Sequence, residues 1–125
     1  MSKRIIHTEN APKAIGPYSQ AVECNGMLFI SGQIPVNPAT GNIPEGIEAQ
    51  TEQVMKNIEA ILTAAGYTFS DVIKSICLLS DIANFKAMNE VYAKYYTSEC
   101  PARAAFAVKD LPLGVLVEIE TIAAK

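Results

Sequence analysis

The apolar residues of this chain change period several times between its ends, and that alternation constrains the fold more than any other feature. Short runs of strand character come first: Lys3–Thr8, Ser19–Cys24 and Met27–Ser31. Asn25-Gly26 separates the last two. A two-residue Asn-Gly loop between apolar runs specifies a hairpin, because both loop residues must accept positive φ. The period then lengthens. Ile47, Thr51, Val54, Ile58, Ile61, Leu62 and Ala65 recur at helical spacing, and Gly66 stands where a left-handed residue ends a helix. Asp71–Leu79 is β-branched and apolar, hence a strand. Asn84 can cap a second helix with the stripe Phe85, Met88, Tyr92, Tyr95 and Tyr96. Arg103–Val108 and Val115–Ala123 read as closing strands joined by a turn at Pro112 and Gly114.

The order β-β-β-α-β-α-β-β predicts an α+β fold, a mixed sheet of about six strands with two helices on one face. Strands flanking a helix should be parallel through right-handed crossovers, and the hairpins antiparallel. The 125 residues carry no repeat, low-complexity tract or Ser/Gly linker, so one domain, 1–125, is expected. Ile34–Gly46, with three prolines, two glycines and two asparagines, is a loop longer than connectivity requires. On Val72–Leu79 both faces are apolar: Val72, Ile76 and Leu78 on one, Ile73, Cys77 and Leu79 on the other. Two helices cover only one face. The other needs a different cover, most simply another copy of the chain.

Half the residues are hydrophobic and 18% are charged, which excludes a disordered chain. The net charge of −3 lacks the basic footprint of a general nucleic-acid or anionic-membrane binder. No run approaches the roughly 20 apolar residues of a membrane span. The first residues carry positive charge but no apolar stretch after it, so no signal peptide is expected. Cys24, Cys77 and Cys100 are widely spaced, with no CxxC or Cys/His cluster. They read as reduced thiols of a cytoplasmic protein, with no zinc site and no disulfide framework.

Several residues could carry chemistry. His7 is the sole histidine and lies beside no obvious nucleophile, so a surface role is expected. No phosphate-cradling glycine motif occurs. Ser31-Gly32-Gln33 is either a simple turn or a place where a missing Cβ admits a ligand to the backbone. Arg103 sits among small and apolar residues in Pro101–Phe106. It is either half of a structural ion pair with a glutamate or a bidentate receptor for a carboxylate. Glu118 and Glu120 share one strand face and are either solvated or an acid/base pair. Tyr18 follows a rigid Gly16-Pro17 turn that fixes its direction. Asn89 lies off the apolar stripe of the second helix. The lysines are scattered, and none is a candidate Schiff base.

Gly16-Pro17-Tyr18-Ser19-Gln20-Ala21, Ser31-Gly32-Gln33-Ile34-Pro35, Asn89-Glu90-Val91-Tyr92, Pro101-Ala102-Arg103 and Val117-Glu118-Ile119-Glu120 occur in the order and spacing of the RidA/YjgF family. Each motif is weak alone, but the five in register make the chain resemble these reactive intermediate deaminases over essentially its whole length. The resemblance implies a chorismate-mutase-like domain in a homotrimer, with the sheets lining a central barrel and clefts between subunits. It implies that Arg103 binds a substrate carboxylate and that Glu118 positions the attacking water. Tyr18, Ser31, Gly32 and Asn89 would line the cleft, Asn89 as a contribution from the neighbouring subunit. Many members carry a cysteine two residues after the arginine; here that position is Ala105, so a thiol role there is not expected. The implied reaction is hydrolysis of short 2-imino acids to 2-oxo acids and ammonia without metal or cofactor. A metabolite-binding regulator and an RNA-cleaving protein are the alternatives, the latter disfavoured by charge.

Overall fold

The computed structural model describes residues 2–125. Six strands form a single mixed sheet: β1 (Arg4–Ile6), β2 (Ala21–Cys24), β3 (Met27–Gln33), β4 (Val72–Leu79), β5 (Ala102–Ala107) and β6 (Val117–Ala124), in the spatial order β1-β2-β3-β6-β4-β5. Helices α1 (Ile47–Ala65) and α2 (Phe85–Tyr92) connect β3 to β4 and β4 to β5. The hairpin turn forms as its sequence specifies: Asn25 (φ 53°) and Gly26 (φ 73°) are both left-handed, and Cys24 pairs with Met27. Gly66 closes α1 in the left-handed conformation, its N–H directed at Leu62 and Thr63 carbonyls.

Both crossovers join parallel strands. β4 and β5 are direct neighbours. β3 and β4 are parallel but are separated by β6, which is antiparallel to each. The closing strands β5 and β6 therefore do not form a hairpin with one another. A ladder between β3 and β4 satisfies the backbone groups of β6 along both edges, which an outer position beside β5 could not do.

The core lies between the sheet and the helices. Leu28 and Ile30 of β3, Cys77 and Leu79 of β4, and Val117 and Ile119 of β6 meet Val54, Ile58, Ile61 and Leu62 of α1 and Met88 of α2, all buried. Side-chain parity along β4 is not what the sequence spacing implies. The register slips between Val72 and Lys74, so Val72 joins Ser75, Cys77 and Leu79 on the covered face, and Ile73 is left exposed. Lys74, Ile76 and Leu78 occupy the other face, with Phe106 and Ile122 on the neighbouring β5 and β6 and Phe29 one strand further, on β3. Phe29 and Phe106 remain 45% and 47% exposed, so this second apolar face is uncovered within one chain.

Asn84 does not cap α2 with its side chain. A single 3-10 turn, Ile82–Asn84, precedes the helix, and Asp81 caps that turn by accepting from the Ala83 N–H at 2.9 Å. Once the turn continues directly into the helix, Asn84 has helix-like backbone neighbours on both sides and no orphan donor to reach. α2 ends at Tyr92, and Tyr95 and Tyr96 pack from the turn beyond it.

Three buried amides tie the loops to this frame. Gln20 accepts from the Thr8 N–H and donates to the Thr8 and Pro12 carbonyls, holding the segment that leads to Tyr18. Asn57 on α1 donates to the Ile34 and Val36 carbonyls, and Gln50 accepts from the Leu116 N–H while donating to Pro44. Each supplies the partners that buried loop backbone would otherwise lack.

Candidate active site

The sequence candidates fall into two groups on opposite faces of the sheet. Arg103 pairs in register with Ser75 on the covered face, and it reaches α2. Its Nη1 donates to Asn89 Oδ1 at 2.6 Å. Its guanidinium carbon stands 4.9 Å from the Tyr92 ring centroid and 5.5 Å from that of Phe85, a cation–π platform that sets the plane of the fork. Among the described residues no carboxylate lies within ion-pair distance of Arg103. The structural ion pair left open by the sequence is therefore not made. A recess of about 410 Å³ lies here, lined by Asn89, Tyr92, Tyr96, Cys100 and Arg103 among others.

The second group gathers around Glu118. Tyr18, Ser31, Gly32, Glu118 and Glu120 line a recess of about 560 Å³ with an apolar rim that includes Ile15 and Leu113. β3 is bulged where it meets β6: two residues lie between Ile30 and Gln33 while one lies between their partners Thr121 and Ile119. The bulge turns Ser31 so that its hydroxyl donates to the Ser19 carbonyl at 2.6 Å, joining the strand to the Tyr18 segment. Tyr18 itself is directed by a tight turn, its N–H bonding the Gly16 carbonyl at 2.8 Å, and its ring folds back over Gly16.

Gly32 lines this recess, and its missing Cβ also makes room for a protein side chain: a methyl group there would collide with the Glu118 carboxylate. Glu118 is half-buried, and desolvation, followed by the nearby charge of Glu120, holds its carboxyl above the usual carboxylate range. His7 is exposed and its ring bonds Glu9 at 3.1 Å, away from both recesses. Among the described residues no group of His, Cys, Asp and Glu could hold a metal ion, and no helix is long and apolar enough to cross a membrane.

Sequence reasoning missed three contributors. Tyr92 was legible as core, and its ring is also the platform for Arg103. Cys100 lines the Arg103 recess, a placement that depends on the turn after α2. Leu113 is held left-handed (φ 57°) and 73% exposed at the rim of the Glu118 recess. Nothing in a leucine's chemistry signals such a backbone, although the Pro-Leu-Gly context marks a turn.

A mixed six-stranded sheet with two helices is the scaffold this chain shares with Rid-type α+β proteins. The chain belongs to the endoribonuclease L-PSP family, also called RidA/YjgF, whose pattern matches residues 8–125. It is 56% identical to a RutC family protein of Pyrococcus horikoshii over 98% of both chains. It is 50% identical to the 2-iminobutanoate/2-iminopropanoate deaminase of Capra hircus, over 97% of this chain and 89% of that one. Its structure superposes on crystalline E. coli TdcF with bound serine at a TM-score of 0.93, with 42% identity and 98% of each chain covered.

Proposed function

We propose that this protein hydrolyses short 2-imino acids, 2-iminobutanoate and 2-iminopropanoate, to 2-oxo acids and ammonia, as a cytoplasmic homotrimer. The observation that carries the reading is Arg103: a guanidinium fixed by Asn89 and two aromatic rings, with no carboxylate partner among the described residues. Such a fork suits the planar carboxylate of a small 2-imino acid. The goat relative's name and the serine bound to TdcF support a small amino-acid-like ligand.

The chemistry asks little of the protein. The imine carbon is already electrophilic. Glu118 orients a water and takes its proton as the C–O bond forms. That proton passes to nitrogen, giving the carbinolamine; Glu118 then takes the proton of the new hydroxyl and delivers it to nitrogen as the C–N bond breaks, so that ammonia leaves and the 2-oxo acid forms. A carboxyl raised by desolvation suits this shuttle, because its affinity for the proton is closer to neutrality than that of an exposed glutamate. Tyr18, Ser31 and Gly32 shape the Glu118 side, and Asn89 the Arg103 side. Since the two groups lie on opposite faces of one sheet, one chain's Arg103 recess would complete a neighbour's Glu118 recess. The uncovered face carrying Phe29, Ile76, Leu78, Phe106 and Ile122 would close the barrel.

The test couples threonine dehydratase and threonine with this protein and follows decay of the imine. Accelerated decay supports the reading. Binding of 2-oxobutanoate without acceleration would replace it with a metabolite-binding regulator. The family description also names RNA cleavage. Retention on RNA at moderate salt would favour that role, against the net charge of −3.

A further inference from the structure

Beneath the Arg103 platform lies a group of hydroxyls that the proposed reaction does not use. Ser75 and Thr121 are cross-strand partners on the covered face of β4 and β6, both fully buried. Tyr92 and Tyr96 pack over them with ring centroids 4.7 Å apart, and they are only 6% and 7% exposed. All four hydroxyl oxygens are buried, and among the described residues none has a partner in good hydrogen-bonding position. The Ser75 hydroxyl lies near enough to both phenols to act on them as a hydrogen-bonding group, and Ser75 is the cross-strand partner of Thr121, so the four residues are neighbours and not scattered through the core. Burial holds both phenols above the ordinary tyrosine value, so they stay neutral donors at physiological pH.

Native cores leave few buried hydroxyls unpaired, and four in one place mark a binding site for something small and polar. Its chemical class follows from the surroundings. Arg103 over the Tyr92 ring disfavours a cation. Arg103 is itself exposed and engaged by Asn89, and the buried core around the hydroxyls is otherwise apolar, so no buried charge offsets an anion there. A neutral molecule with two donors and two acceptors matches four hydroxyls that can each rotate to donate or accept. We propose that Ser75, Tyr92, Tyr96 and Thr121 enclose a structural water that links the α2 segment to the β4–β6 ladder.

A crystal structure of the full chain, at a resolution that shows ordered solvent, tests this directly. The expected result is one water within about 2.6–3.2 Å of at least three of the four oxygens. Hydroxyls bonded to one another with no density between them would overturn the proposal. The double variant Ser75→Ala/Thr121→Val removes half the partners at little change in volume. It should lose that water and melt at a lower temperature than the native chain. An unchanged water peak would mean that these two hydroxyls do not hold it, and would equally overturn the assignment. Should the double variant fail to fold, the native crystal structure decides alone.

Discussion

The α-carbon of Gly32 lies against the carboxyl group of Glu118, so close that a methyl group on Gly32 would sit 2.9 Å from Glu118 Cδ. The φ of Gly32 is not in the left-handed region, so the glycine is required for space and not for backbone freedom. The bulge in β3 brings the two residues together, and it makes the position of the carboxylate depend on a residue with no side chain.

Gly32→Ala should therefore displace Glu118 and leave the fold in place. A catalytic group moved by about 1 Å can lose on the order of a hundredfold in rate. The expected outcome is imine hydrolysis slowed by about that factor, with an unchanged circular dichroism spectrum and nearly unchanged affinity for 2-oxobutanoate. Full turnover in Gly32→Ala would show that the carboxylate position is not critical.

Arg103→Lys separates anchoring from chemistry. Lysine keeps the charge but loses the planar fork and its stacking on Tyr92 and Phe85. Calorimetry with 2-oxobutanoate should show affinity weakened by at least about tenfold, or about 1.4 kcal/mol. Glu118→Gln keeps its shape and can still hydrogen-bond water, but cannot accept the proton. It should bind the oxo acid like the native protein and lose most turnover. Undiminished binding in Arg103→Lys would return Arg103 to a purely structural role.

The raised carboxyl of Glu118 has a consequence for stability whose sign is fixed. Its folded pKa lies above the unfolded value, so folding binds a proton in the window between them. The contribution of Glu118 is at its most favourable below the ordinary carboxylate pKa and is lost as pH rises through the raised one. Glu118→Gln should melt a few degrees higher than the native chain at pH 7, and the difference should shrink toward zero on acidification. Removing the second cause of the shift with Glu120→Gln should lower the upper edge of this window and so narrow it. Thermal melts across pH check both statements; a gain for Glu118→Gln that persists unchanged into acid would contradict them.

The uncovered sheet face gives the fourth prediction. Phe106 pairs with Leu78 and remains 47% exposed. Sedimentation equilibrium should give a trimer for the native chain and a smaller species for Phe106→Glu, because a charge cannot be buried unpaired in an apolar interface. Imine hydrolysis should fall with the trimer, since each cleft would need two subunits. A native monomer at micromolar concentration would remove the shared cleft.

Much of the architecture was legible along the chain because its signals are local. Asn25-Gly26 dictates its own turn through two positive φ values, and Gly66 ends α1 for the same reason. The spacing from Ile47 to Ala65 determines which face of α1 is buried before any partner is known. The candidate residues Tyr18, Ser31, Gly32, Asn89, Arg103 and Glu118 stood out by type and motif. Their grouping did not, because it depends on strand order. Only the insertion of β6 between β3 and β4 sets Glu118 beside Gly32, and only the pairing of Arg103 with Ser75 turns that guanidinium toward Asn89 on the opposite face. The slip at Val72, the bulge at Ser31-Gly32 and the left-handed Leu113 were hidden for one physical reason. Each is a departure from local backbone preference that neighbouring strands and loops impose, and those neighbours are distant in sequence.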